Sequence, residues 1–522
     1  MNTNKEFRSI QAIEDEPRAS MKWLYVVGCL LFLATFLGNA WIHEDAFITF
    51  RSVEQVYAGN GPVWNPHERV QTYTHPLWFM GLVAIRAVSS NQYLNAIALS
   101  LACGLATLWV SARLFRSPVK WSFLVMTIVA SKCLMDYSSS GLEAPMVVLL
   151  LTFMFAAFIG GSAPVITLTL GSLLVLCRHD LALMVLPLAL CVTVETWINK
   201  GWSAALKNAV VGALPFLAWT LFALVYYGFA LPNSAYAKLG HKLPFLATGD
   251  QPGLLWYGSA YVITSVSWDL IIPASALAAI VTLWRRSVER RTHHLLAASG
   301  CLLYVFYIVA IGGDYMGGRF LIAPLWMVLI IFFHAVPTLR AASLLACVAL
   351  LVAILSPVSP LKVILHDVPT CRMERGITDE HAGYFQATSL RSYVMVGFPE
   401  SLRAAPDLYN WYELGTRFKQ VQGVVEASNM GILGYYAGTE TILIDRYGIT
   451  DPLIARLPAT KAKVPGHYVR AVPAGYIPSV MEHTNLIQDA QIARLHNDIR
   501  VVTQGKLFTL ERFRLILKLN MH

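Results

Sequence analysis

The chain has 522 residues, of which 56% are hydrophobic and only 14% charged, against about 25% charged in an ordinary soluble domain. Its apolar residues come in continuous runs such as V-V-L-L-L-T-F-M-F-A-A-F, so water can face neither side of them, and the chain reads as a polytopic membrane protein. The formal net charge of +9 is carried by Lys and Arg clustered at the ends of these runs. Membrane topology asks for that placement, and the sequence gives no sign of a nucleic-acid partner.

A polar tail of mixed charge occupies residues 1–23. The apolar stretch 24–41 is too long and too aromatic for a cleaved leader, and it reads as a retained anchor. Further spans are expected at 93–112, 121–135, 146–159, 164–177, 181–197, 208–229, 262–284, 295–311, 320–334 and 341–357, about eleven in all. Residues 77–88 are apolar, but at ~1.5 Å per residue they fall short of a ~30 Å hydrocarbon core. They read as interfacial or re-entrant. Arg113, Arg116, Lys120, Lys200, Lys207, Arg285, Arg286, Arg290, Arg291 and Arg340 then share a side with the N-terminal tail, which the positive-inside rule makes cytoplasmic.

The same topology sends five loops rich in Asp, Glu, His, Tyr, Asn and Gly to the outside, and they read as one composite site at the outer membrane surface. The first is Asn39 to Trp78. Asp45 opens a segment in which Ala46, Phe47, Phe50, Val53 and Tyr57 recur at helical spacing, suited to a helix in the interface and ended by Gly59 and Gly61. Asp45 reads either as the cap of that helix or as a catalytic carboxylate. Glu44 beside it is the second member of a candidate catalytic pair: two adjacent carboxylates raise each other's pKa, which suits a base taking a proton from a hydroxyl, and either of the two could act. Tyr73 and His75 close the loop as substrate-binding candidates. Trp64, Tyr73 and Trp78 also suit interface anchors, and His67, Glu68 and Arg69 a solvated turn.

The second loop, S-S-S-G-L-E-A-P, puts Glu143 at the mouth of a helix, where it reads as a cap or as a ligand for substrate. In C-R-H-D, Arg178 pairs with Asp180 or, with His179, clamps a phosphate. L-P-N-S-A-Y-A-K supplies Asn233, Tyr236 and Lys238. G-G-D-Y-M-G-G-R-F supplies Asp314 and Arg319. Lys238 and Arg319 suit a phosphate leaving group that gains charge in a transition state. No cofactor follows with certainty. A divalent cation shared by Asp45, Glu143 and Asp314 stays open, because the spacing does not demand one. No disulfide framework or zinc spacing can be built from the eight cysteines.

Three divisions are expected: a cytoplasmic tail over 1–23, a transmembrane domain with external catalytic loops over 24–359, and a soluble α/β domain over 360–522 on the same side as the loops. In that last part T-I-L-I-D, R-V-V-T and L-F-T-L look like strands. Residues 423–438 look like strand, glycine turn and helix.

The loop D-A-F-I-T-F-R…G-N-G-P-V-W-N-P-H-E-R-V-Q-T-Y-T-H-P-L-W resembles the first external loop of bacterial GT-C-fold glycosyltransferases that use polyprenyl-phosphate sugars. Within them it looks like the group of mycobacterial AftB and the pilin arabinofuranosyltransferases. The resemblance continues through S-S-G-L-E-A-P, C-R-H-D, Y-Y-G-F-A-L-P-N-S-A-Y-A-K, G-G-D-Y-M-G-G-R-F and L-I-D-R-Y-G-I-T-D-P-L-I-A-R-L, and so spans nearly the whole chain. It implies a multi-pass protein of the bacterial inner membrane, with its N-terminus cytoplasmic and catalysis on the periplasmic side. It implies a polyprenyl-phosphate donor of arabinofuranose, a periplasmic protein (a pilin) or cell-surface glycan as acceptor, and the catalytic acid at Asp45. Another sugar or a lipid-linked glycan remains an alternative within the class. A flippase would need matching halves with broken helices, and no internal repeat is present.

Overall fold

The computed structural model describes residues 21–239, 253–285, 288–365, 371–421, 423–462 and 466–521. The tail up to residue 20, Arg286 and part of the loop between Leu231 and Tyr257 lie outside them. Helices dominate, and most of the apolar segments read from the sequence form single helices: Trp23–Asn39, Gln92–Phe115, Ala144–Gly160, Pro164–Cys177, Ala182–Lys200, Trp202–Tyr226, Arg291–Ala310, Ile322–Ala335 and Leu339–Leu355. Among the described residues four helices are long and apolar enough to cross a membrane, and seven more are apolar but only 10–17 residues long. Their outer faces carry large exposed hydrophobic side chains, among them Trp284, Leu302 and Phe306. Such a belt suits lipid and not water.

Two expected spans are broken, contrary to the single helices read from the sequence. Residues 121–135 divide into Pro118–Ala130 and Lys132–Asp136. The span expected at 262–284 is two helices, Leu254–Trp268 and Ile271–Trp284, bent by 93°. Pro273 supplies no N–H to the helix preceding it and its ring crowds the carbonyl four residues back, which ends that helix. Asp269 then satisfies both breaks at once. Its carboxylate accepts from Ile271 N (3.1 Å), Cys133 N (2.9 Å) and Ser131 Oγ (2.6 Å).

The amphipathic segment after the first helix is a helix, Ala46–Tyr57, but it does not lie free in an interface. Ala46, Phe47, Phe50 and Val53 are buried on one side and Thr49, Arg51, Ser52 and Gln55 on the other. It is sandwiched between the membrane helices and the helix Ile432–Tyr436 of the C-terminal part. The expected anchors Trp64, Tyr73 and Trp78 are likewise core residues, buried almost completely. Trp64 lies under the Arg51 guanidinium at 4.7 Å and Trp78 Nε1 donates to Gly141 O.

Residues 371–521 contain seven α-helices among those described and three two-stranded sheets. Val424–Ala427 and Ile442–Asp445 pair in parallel, joined through Ile432–Tyr436, as a parallel pair needs a crossover. R-V-V-T and L-F-T-L are not strands. The first belongs to the helix Ala490–Gln504, and the leucine of the second begins Leu510–Met521. Ile492, Ile499 and Val502 keep helical spacing, and the Asp489 carboxylate caps Gln491 N and Ile492 N. Three β-branched residues in a row are too short a window to overrule that period.

Candidate active site

The loop between Asn39 and Trp78 is held in place by the C-terminal part. The Arg51 guanidinium donates to the carbonyls of Trp64, Gly434 and Thr441. Asn65 exchanges both of its amide bonds with the backbone of Leu443 at 3.0 Å. His43 Nδ1 accepts the backbone N–H of Asp45 at 3.0 Å, so its Nε2 faces Glu380 Oε2, 3.2 Å away, as the donor. A second buried cluster joins Lys132 to Asp136 (2.5 Å) and Asp379 (3.0 Å), with His381 3.5 Å from Asp136. Ions at this depth are tolerated because each is paired.

Arg319 is the centre of the site. It starts a short helical turn after G-G-D-Y-M-G-G. Its guanidinium lies 4.0 Å from Asp45 Oδ2, 3.6 Å from Glu143 Oε1 and 3.7 Å from Asp314 Oδ2. Four residues from three loops, far apart in sequence, thus converge. A guanidinium stands among the three carboxylates that could share a divalent cation. Burial works against the charge of Arg319, but Glu143, Asp314 and Asp45 raise its pKa above the ordinary arginine value.

Glu143 makes no side-chain cap. It is buried against Arg319, Arg178 (3.4 Å) and His75 (3.3 Å). Burial would raise its pKa, but those partners hold it at about 2. Arg178 is fully engaged: Asp180 at 2.6 and 3.1 Å, Tyr304 Oη at 3.2 Å, and the Phe320 ring at 4.5 Å. His75, brought down to about 4 by burial, is neutral at pH 7 and meets Thr49 Oγ1 at 2.9 Å. His179 points elsewhere, edge-on to Phe216.

Adjacent carboxyls Glu44 and Asp45 have opposite fates. Asp45 caps nothing with its side chain and leaves 32% of it exposed. Burial opposes its charge, but His43, Arg319, Lys238 and His467 outweigh burial and hold its carboxyl below the ordinary value. Glu44 turns inward and accepts Ile432 N–H at 3.2 Å. Burial, then the charge of Asp45, pushes it up to about 8. The two neighbours are thus pushed in opposite directions, Glu44 towards its protonated form and Asp45 towards its charged form.

Three expected substrate ligands are brought elsewhere. Tyr73 is stacked on Phe79 and bonded to Tyr227 Oη at 2.7 Å. Asn233 clips the C-terminal part by donating to Gly448 O, Ile449 O and Asp451 O. Tyr236 lies under the Arg456 guanidinium. Sequence reasoning missed Tyr315, whose hydroxyl is pushed up by burial and then by the charges of Asp45, Glu380, Asp314 and Glu44, and whose ring meets His467 edge-on at 4.7 Å. Tyr315 stands inside the quoted G-G-D-Y-M-G-G-R-F, so its motif was visible although its role was not. Glu380 had no local signal. Beneath the site, an apolar cavity of about 50 Å³ is lined by Tyr137, Ala144, Pro145, Ile322 and Trp326, neighbours in sequence of Glu143 and Arg319.

No family model matches the chain. A terminal β-(1→2)-arabinofuranosyltransferase of Mycobacterium tuberculosis is 26% identical over 532 residues, covering 85% of this chain and 83% of the relative. One of the same name from Corynebacterium glutamicum is 26% identical over 349 residues, covering 56% of this chain and 47% of that one. Among solved structures, ArnT from Cupriavidus metallidurans in the apo state aligns with 84% of this chain and 77% of its own, at 17% identity and a TM-score of 0.44. The same protein bound to undecaprenyl phosphate gives 83%, 76%, 15% and 0.40. The chain is a multi-pass membrane glycosyltransferase. Within that class it is similar to terminal arabinofuranosyltransferases.

Proposed function

We propose that the chain moves a furanose sugar, D-arabinofuranose, from a polyprenyl-phosphate donor to a hydroxyl of an extracytoplasmic acceptor, a cell-surface glycan or a protein such as a pilin. The observation that carries this reading is the Asp45–Arg319 pair: an ionised, part-exposed carboxylate 4.0 Å from a guanidinium. A transferase of this kind needs both ends of that pair. Asp45 takes the proton of the acceptor hydroxyl as its oxygen bonds the anomeric carbon. The bond from that carbon to the phosphate oxygen breaks, and the departing phosphate keeps the electron pair. Arg319, with Lys238 near the same carboxylate, meets the charge that develops there.

Glu143 and Arg178 are positioning residues in this reading, since they are paired with each other and fix the guanidinium. His43 orients Asp45 through its backbone. The relatives' names supply the sugar, and the undecaprenyl phosphate named with ArnT supports a lipid-linked donor. An active site outside the cytoplasm has no nucleotide-sugar pool, which agrees with such a donor. The membrane helices carry the polyprenyl chain, and residues 360–522 form the extracytoplasmic part that shapes acceptor access. The inner membrane is its place, with the N-terminus cytoplasmic. The test is mass spectrometry of surface glycans and proteins from a strain lacking this chain. A pentose missing from one acceptor is the expected result, and an unchanged set of glycans and glycoproteins overturns the reading.

A further inference from the structure

Away from the Arg319 cluster, the loop at residues 65–68 and the C-terminal part enclose a cavity of about 410 Å³. Two carboxyl groups line it. Asp451 is buried and holds Leu453 N, Ile454 N and Tyr476 Oη. Glu68, expected in a solvated turn, is half-buried and faces it. Burial and the nearness of Asp451 push Glu68 up to about 8, which favours a proton on the pair. His496 is 4% exposed, and its Nδ1 has no hydrogen-bond partner. An orphaned polar atom on the wall of a polar cavity calls for a ligand group. His67 and His483, also on the wall, hold left-handed backbones at φ 66° and 55°. Such strain in residues other than glycine tends to collect at binding sites.

The wall chemistry selects the ligand. Two carboxyls repel a phosphate or a carboxylate. No cluster of three metal-ligating side chains exists among the described residues. Carboxyl oxygens that accept, an arginine that donates (Arg500) and an imidazole nitrogen fit a set of hydroxyl groups. Ile442, Ile444 and Val480 on the same wall suit the C–H face of a sugar ring. From this we infer that the cavity is a binding subsite for a neutral oligosaccharide: it holds the acceptor glycan at a distance from the hydroxyl that reacts. The inference rests on the glycan-acceptor form of the function proposed above. The cavity is tied to the catalytic loop at both ends. Asn65 and Glu68 follow Asp45 on that loop, and Asp451 O accepts from Asn233, five residues before Lys238.

The experiment measures binding, not turnover, on the full-length protein in detergent. Saturation-transfer NMR is run with a neutral arabinofuranosyl trisaccharide, with maltotriose and with a trisaccharide of hexuronic acids. Saturable binding of at least one neutral trisaccharide is expected. Glu68→Leu and His496→Phe, which keep approximate size and ring stacking but lose the polar atoms, should each weaken it by about three- to tenfold, the scale of one lost hydrogen bond between neutral groups. Asp45→Asn retains this binding, which separates the subsite from the chemistry: a failed transfer reading leaves the binding result standing. Melting temperatures of both cavity variants check that they fold. If one fails to fold, the other decides. No binding of either neutral probe, preference for the acidic one, or undiminished binding in a folded cavity variant overturns the inference.

Discussion

Arg319 Nη2 lies 3.6 Å from Glu143 Oε1, and that contact ties the loop before one membrane helix to the loop before another. Because Arg178 and His75 hold Glu143 in turn, the guanidinium cannot drift when a substrate enters. It remains 4.0 Å from Asp45, close enough to depress that carboxyl and far enough for substrate oxygens to approach both.

Arg319→Lys keeps the charge and loses the planar fork. A lysine cannot face Asp45, Asp314 and Glu143 together. Transfer from a polyprenyl-phosphate sugar should fall by about 10²-fold in kcat/KM, the scale of a lost transition-state donor. Steady-state kinetics with purified protein check it. Arg319→Ala should in addition lower Tm, because it takes from the buried Glu143 one of its two guanidinium partners and leaves Arg178 alone to balance it.

Asp45→Asn should abolish transfer by at least about 10²-fold while leaving Tm within a degree or two. The two halves have separate grounds. A general base contributes about 10²–10⁴-fold. The Asp45 side chain makes no capping bond and remains 32% exposed, so little of the fold depends on it. Full activity in the variant would sink the assignment of the base.

The spans were legible because apolar runs need no partner to be recognised. Asp45, Glu143, Asp314 and Arg319 were legible too, because ionisable residues among glycines beside a membrane helix stand out locally. The roles of Asn233 and Tyr236 were not. Each looks like a ligand in its motif, and each instead holds a part of the chain more than 200 residues away. Glu44 is the clearest case. Beside Asp45 it reads as a catalytic partner, yet its hydrogen bond goes to Ile432, 388 positions on. Nothing within the loop encodes that partner. The two broken spans failed for the same reason: Asp269 and Ser131 bind each other across 138 positions.

Gly431 packs directly on Glu44, and a methyl group there would run into the Glu44 backbone carbonyl and its carboxyl. The carbonyl cannot move without shifting the start of the Ala46–Tyr57 helix, since Phe47 N donates to it. Gly431→Ala should therefore destabilise by about 1–3 kcal/mol, as overpacking of a filled core does. It should also reduce transfer, because the displaced backbone is that of Asp45's neighbour. Denaturant unfolding and an activity assay on one preparation test both statements.

Sidedness has its own test. Ser90 and Ser162 are both exposed, and the charge pattern puts Ser90 outside and Ser162 inside. In a background lacking the exposed Cys347 and Cys371, an impermeant maleimide added to intact cells should label Ser90→Cys and spare Ser162→Cys. The reverse labelling would invert the orientation and move the proposed site to the cytoplasm.

The Glu44 proton gives a pH signature. An unfolded glutamate titrates near 4.5, and folded Glu44 at about 8. Between those values the folded chain binds more protons than the unfolded chain, so stability falls as pH rises through that window. Glu68 and Asp451, raised to about 8 and about 7, add slopes of the same sign, so the wild-type profile alone does not isolate Glu44. Glu44→Gln removes its share and mimics the protonated side chain. The difference in Tm between variant and wild type should therefore shift in favour of the variant from pH 5 to pH 8.5, with transfer at pH 7 nearly unchanged. A difference that stays constant with pH would mean that Glu44 is ionised in the folded protein. Loss of transfer at pH 7 in the well-folded variant would return Glu44 to the catalytic pair.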